Sequence, residues 1–207
     1  PLHRWSSLMS SLVRSTCLIH VSHKLGRRTW CPRRTTTVAE VPEIDRERLL
    51  TSLRTLRGFG ATGTGVVRPT FSPVDMEARR WLQSEMASAG LDATIDGVGN
   101  VFGRSRSPGP ALVLGSHSDT QPTGGWLDGA YGVMCAIEVA RAVRDDPATT
   151  HLAVDTAAWA DEEGTYSGFL GSRSFAGELT GGYEHDTNAA GESVAEALER
   201  VGLSGTP

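Results

Sequence analysis

The chain has 207 residues, 39% of them hydrophobic and 21% charged, with a net charge of −4. That length suffices for one ordinary domain with a real core. The mild acidity gives no reason to expect nucleic acid as a partner, and apolar runs such as Ala111–Leu114 are far too short to span a bilayer. Three cysteines without paired spacing argue against a disulfide framework and for a reducing, cytoplasmic setting.

The first acidic residue is Glu40, while the stretch before it holds Arg4, Arg14, Lys24, Arg27, Arg28, Arg33 and Arg34 among many Ser and Thr. This composition resembles an organellar transit peptide. The reading favoured over it is a stretch outside the native coding sequence, because the chain begins with Pro1. Residues 1–40 are therefore set apart as a basic extension expected to lack order, and residues 41–207 as the folded part.

Folded sequence is expected to begin near Val41. Ile44, Leu49, Leu50, Leu53 and Leu56 recur at helical spacing, and Gly58 and Gly60 stop that helix. A Gly- and Thr-rich loop follows, from Gly60 to Thr70. Ser72 fits an N-cap, Pro73 the first helical position, and Asp75 and Glu77 the positive end of a helix running to about Ala89. Leu91 to Arg104 reads as two short strands around Gly97-Val-Gly-Asn100. Ala111–Leu114 is a continuous apolar run, which suits a strand buried on both faces. Ala130 to Val143 is helical in pattern, Leu152 to Trp159 is a second buried-strand candidate, and Ser193 to Val201 reads as a short helix. Strand, loop, helix, strand in that order predicts an α/β sheet with crossover helices.

Three clusters carry chemistry, and each lies where a predicted strand gives way to a loop or a loop to a helix. In Gly115-Ser-His-Ser-Asp-Thr120, His117 and Asp119 are two apart and share a face of an extended backbone. In Gly124-Gly-Trp-Leu-Asp-Gly-Ala130, Asp128 is followed by a glycine that permits close backbone approach. Ala160-Asp-Glu-Glu-Gly164 puts three acids in a row at a sheet edge. Taken singly, these read as a hydrogen-bonded pair, a turn and a solvated loop. Together they offer one histidine and several carboxylates at strand ends, a donor set suited to zinc, manganese or cobalt.

The segment from Gly115 to Val133 resembles the zinc-dependent aminoacylase and carboxypeptidase superfamily. It is most similar to its hydantoinase/carbamoylase branch: N-carbamoyl-L-amino acid hydrolases, β-ureidopropionases of the fungal type and allantoate amidohydrolases. The segment Trp159 to Gly177 resembles the second signature of the same branch. The spacings, eleven from His117 to Asp128 and thirty-five from Asp128 to Glu163, fit it too.

The resemblance implies a zinc-peptidase-like mixed sheet with flanking helices and hydrolysis of a linear C–N amide bond in a carbamoyl (ureido) amino acid. It implies two divalent metal ions, with His117 on one, Asp128 bridging and Glu163 on the other. Glu162 would be the general base and Asp119 would orient His117. Gly171-Ser-Arg-Ser174 matches a family loop to which no chemistry is assigned, with Arg173 read as an exposed structural arginine. Members of the branch are about twice as long. They carry two further metal-binding histidines, one in a His-Ile-Glu-Gln-Gly-Pro-type motif, and a lid domain through which they dimerise. His151, read as opening a strand, and His185, in a polar loop, do not obviously replace those histidines. The chain is thus expected to be an incomplete catalytic domain, poorly soluble and inactive by itself. A metallopeptidase or aminoacylase of the same superfamily, a non-catalytic fragment, and a plain α/β binding module are the alternatives.

Overall fold

The structure is a computed structural model that describes residues 41–206; the basic stretch at residues 1–40 lies outside the described residues. Helix α1, Arg46–Gly58, starts where the Asp45 side chain accepts the Arg48 amide at 2.9 Å. It turns Leu53 and Leu56 inward. The stretch expected as a loop at 60–70 holds a small antiparallel hairpin, β1 (Ala61–Thr62) and β2 (Gly65–Val66). Helix α2, Pro73–Ser88, begins as its sequence predicts, with Ser72 capping the Asp75 amide and Pro73 in the first turn. Asp75 lies in the first turn as expected; it is fully buried there, accepts the Phe71 amide at 2.9 Å and pairs with Arg79 at 2.7 Å.

The main sheet has the order β3–β4–β6–β5, with β3 Asp92–Ile95, β4 Val101–Arg104, β5 Leu112–His117 and β6 Val154–Trp159. The β3–β4 and β4–β6 pairs are antiparallel. The β5–β6 pair is parallel and is joined by the crossover helix α3, Ala130–Asp145. The expected α/β arrangement is therefore present, as a mixed sheet with helices packed on it. The main core lies under α1, α2 and α3. There Leu53, Leu56, Leu82, Met86, Val133 and Ile137 close over Val101, Val154 and Ala158 of the sheet. Each such side chain contributes about 1.5–3 kcal/mol by leaving water. Arg48 reaches across to α3 and grips the buried Glu138 through two hydrogen bonds of 2.7 and 2.8 Å. On the opposite face Phe102, Trp159 and Phe175 pack together, with centroids 5.0–6.4 Å apart.

One strand expectation fails. The run Ala111–Leu114 does not form a strand buried on both faces: Leu112 is 61% exposed and Val113 37%. Among the described residues β5 pairs only with β6, and the aromatic cluster covers β4 and β6 rather than β5. An unbroken apolar run does not reveal whether its strand lies inside a sheet or at its border. β6, with Val154, Thr156, Ala157 and Ala158 buried, is the enclosed strand. His151 lies in the exposed turn before β6 rather than at its start.

A second core forms around Phe71, Met76 and Leu170, and takes in helix α5, Val194–Arg200. Ser193 and Glu196 close a capping box at its start. Helix α4, Leu170–Phe175, and a 3₁₀ turn, Tyr183–His185, lie between β6 and α5 in the chain. No helix among the described residues is long and apolar enough to cross a membrane.

Candidate metal centre

The parallel pairing of β5 with β6 sets His117 opposite Trp159 at the same end of the sheet. The chain leaves both strands there, so the segments 118–129 and 160–169 meet. This is where an α/β sheet presents ligand-binding residues.

His117 is 8% exposed. Its Nδ1 lies 3.1 Å from the Asp119 carbonyl oxygen, a bond that places the proton on Nδ1 and leaves the Nε2 lone pair free. Nε2 is 3.7 Å from Glu163 Oε1. The Asp119 carboxylate is fully buried behind the ring. Its Oδ2 accepts the Thr70 hydroxyl at 3.0 Å and the Glu163 amide at 3.1 Å, and its Oδ1 lies 3.6 Å from His117 Nδ1. At that distance it acts on the imidazole as a nearby charge. Burial pulls the His117 pKa down, but Asp119 and then Glu163 outweigh it, and the net shift is upward. Burial pushes Asp119 up, but His117 and the Arg79 guanidinium outweigh it, and its pKa is lowered.

The loop carrying Asp128 is tied down at two places. Gly124 exchanges two backbone hydrogen bonds with Val66 of the small hairpin, at 3.0 and 3.1 Å. The guanidinium of Arg57 sits 5.5 Å from the Trp126 ring centre. Arg68, 1% exposed, anchors the preceding segment, donating to the Ser118, Leu56 and Phe59 carbonyls at 2.7–2.9 Å. Burial lowers its pKa to about 10. Gly129, at φ +64°, brings its backbone against the imidazole. The expectation of close approach beside Asp128 is met.

As a result one ligand atom each from His117, Asp128 and Glu163 lie within 4.8 Å of one another. Three of the five predicted site residues converge. Asp119 stands behind His117, and Glu162 takes a hydrogen bond from Ser172 at 3.1 Å through Oε2. The sequence reading missed four supports: Thr70 and Arg68, which are remote in sequence, Ser172, and Gln121. Gln121 donates to both Oε2 and the backbone carbonyl of Glu163, at 2.6 and 2.8 Å. Arg173, expected to be exposed, is half-buried on α4. A hollow of about 370 Å³ opens beside Glu163, between Pro69, Pro122, Thr165 and Asn188.

A sequence model of Peptidase family M28 matches residues 98–191, which hold Asp119, Asp128 and both glutamates. An amidase of the hydantoinase/carbamoylase family from Burkholderia phymatum superposes with a TM-score of 0.80 at 60% identity, over 81% of this chain and 42% of that one. Over about four fifths of its length the chain is similar to hydantoinase/carbamoylase amidases. An N-carbamoyl-L-amino-acid amidohydrolase of Paenarthrobacter aurescens is 37% identical over 76% of the chain. An allantoate amidohydrolase of Bacillus subtilis is 33% identical over 72%. The chain spans about two fifths of the length of these hydantoinase/carbamoylase relatives, 40% of the first and 38% of the second.

Proposed function

We propose that this chain carries the metal-holding part of a hydrolase of linear C–N amide bonds, acting on N-carbamoyl (ureido) amino acids or the related allantoate. The observation that supports it best is the convergence of His117, Asp128 and Glu163 within 4.8 Å at the sheet end. The relatives' names supply the bond type: they are amidohydrolases of N-carbamoyl amino acids and of allantoate.

The donors fit a divalent cation. An imidazole with Nδ1 engaged by a carbonyl offers Nε2, and two carboxylates face it, the set that zinc, manganese or cobalt takes. His117 and Glu163 would each hold one of two ions and Asp128 would lie between them. Ions held there would supply the Lewis acidity that makes a water attack near neutral pH and that polarises the scissile carbonyl. Asp119 holds His117 through its backbone carbonyl and the charge of its buried carboxylate. Glu162 takes a proton and returns it to the leaving nitrogen, with Ser172 fixing its carboxylate. Gln121 keeps Glu163 turned toward His117. The substrate is a small molecule, and Glu163 lines the hollow of about 370 Å³.

The test is ammonia release from N-carbamoyl amino acids and allantoate. The chain is grafted in place of the corresponding 42% of the Burkholderia phymatum amidase, which supplies the remaining length. Activity that needs added zinc, manganese or cobalt and is lost in Glu162→Gln with metal binding intact supports the proposal. Hydrolysis unaffected by Glu162→Gln would refute the role of that residue. Hydrolysis of peptides but not of ureido compounds would turn the reading toward a metallopeptidase.

A further inference from the structure

Asp161 is the first acid of the run Asp161-Glu162-Glu163, yet it has no place among the converging ligands. Its side chain is fully buried and its backbone sits in the left-handed region at φ +54°. Its Oδ2 accepts the amides of Ser167 at 2.7 Å and of Tyr166 and Gly168 at 3.2 Å, and Oδ1 shares the Tyr166 amide. A carboxylate receiving three backbone N–H groups is turned away from the cluster and is held there.

Those bonds close the loop from residue 161 to residue 168 on itself, and Glu162 and Glu163 lie within the closure. Outside it, the chain is fixed independently. Asn100 Oδ1 accepts the Ala160 amide at 3.0 Å, and the Gly171 amide donates to the Ala160 carbonyl at 2.8 Å. A left-handed non-glycine residue is strained and persists only where its surroundings hold it. With that backbone reversal one side chain reaches the amides five, six and seven residues ahead.

We infer that Asp161 is the positioning residue of this site: its carboxylate closes the loop that carries Glu162 and Glu163, and so sets where those two side chains stand. The inference rests on the proposed metal site. It assigns Asp161 no contact with the metal or the substrate. It requires an acceptor oxygen at the Oδ2 position, not a negative charge. An asparagine can supply that oxygen, whereas an alanine cannot.

The experiment compares wild type, Asp161→Ala and Asp161→Asn by Co²⁺ titration, following visible absorption, and by amide hydrogen exchange at Tyr166–Gly168. Asp161→Ala is expected to lose protection at these three amides and to bind Co²⁺ about 10–100-fold more weakly. Asp161→Asn is expected to keep protection and to bind within about threefold of wild type, because the amide oxygen still accepts. If Asp161→Ala fails to fold, Asp161→Asn decides alone. Weak Co²⁺ binding by Asp161→Asn with native amide protection would overturn the inference, since it would make the charge a ligand. Wild-type Co²⁺ binding left unchanged in Asp161→Ala would overturn it too. A wild type that binds no Co²⁺ would overturn the metal reading itself, and the positioning role with it.

Discussion

Gly129 lies against the ring of His117. A methyl group in place of its α-hydrogen would stand 2.5 Å from Cδ2, Cε1 and Nε2 of the imidazole, and the backbone there has φ +64°. Only glycine meets both conditions, and this residue directly follows Asp128. The loop's aspartate and the strand's histidine are thus brought together by the absence of a side chain between them.

Gly129→Ala is therefore expected to cost about 1–3 kcal/mol through backbone strain alone, and to push the 128–129 backbone off His117. Chemical denaturation measures the first effect. A zinc titration measures the second, with affinity reduced while far-UV circular dichroism remains native.

Gln121 holds Glu163 by two bonds from one amide nitrogen. Groups that orient a metal ligand from behind contribute about 10–100-fold to affinity. Gln121→Ala should weaken zinc binding by about that range with no change in the thermal unfolding midpoint, since Gln121 is exposed. Calorimetric titration checks it; unchanged affinity would mean that Glu163 is positioned without Gln121, with its backbone N–H donating to the Asp119 carboxylate.

Behind the site, Arg79 and Asp75 form an ion pair with neither side chain exposed, and Arg79 also donates to the Gly99 carbonyl at 2.7 Å. Removing one partner strands a buried charge, so Arg79→Met should destabilise by about 3–5 kcal/mol. Asp75 Oδ1 and Arg79 Nη2 have no hydrogen-bond partner among the described residues. The pair is therefore incompletely satisfied, and the double variant Asp75→Leu/Arg79→Met should lose less than Arg79→Met alone. Urea denaturation of both variants decides this.

Tyr166 donates its hydroxyl to Glu192 at 2.7 Å. Burial first, and then this bond, push its pKa up to about 12. The folded state thus prefers the neutral phenol. Its stabilising contribution is whole below the ordinary tyrosine value near 10 and is lost as pH rises from there toward about 12. Absorbance at the phenolate band should show Tyr166 still neutral at a pH of about 11, a neutral fraction lost in Tyr166→Phe.

The converging residues were more legible in the sequence than the frame that positions them. The clusters that hold His117, Asp128 and Glu163 were legible because each stands at a strand end or a glycine-bounded loop; the family resemblance, not position, singled out Glu163 from its acidic neighbours. The edge position of β5 was not, because Leu112, Val113 and Leu114 look alike whether or not a neighbour strand covers them. Arg68 and Thr70 were invisible for a different reason. They act on residues about fifty positions away, Arg68 on Ser118 and Thr70 on Asp119, and nothing local marks a buried arginine. Asp75 was legible as an acid in the first helical turn, but not its burial or its pairing with Arg79 one turn on. Asp161 was grouped with its neighbours, although the amides that hold it lie in the loop ahead.

The central claim is that His117, Asp128 and Glu163 form one metal locus, and zinc stoichiometry and affinity of wild type against Asp128→Ala test it most directly. The account predicts zinc binding by wild type and a loss of about 100-fold or more in the variant, since a direct ligand should matter more than the residues that orient it. Equal binding by the two proteins, or none by a folded wild type, would contradict it.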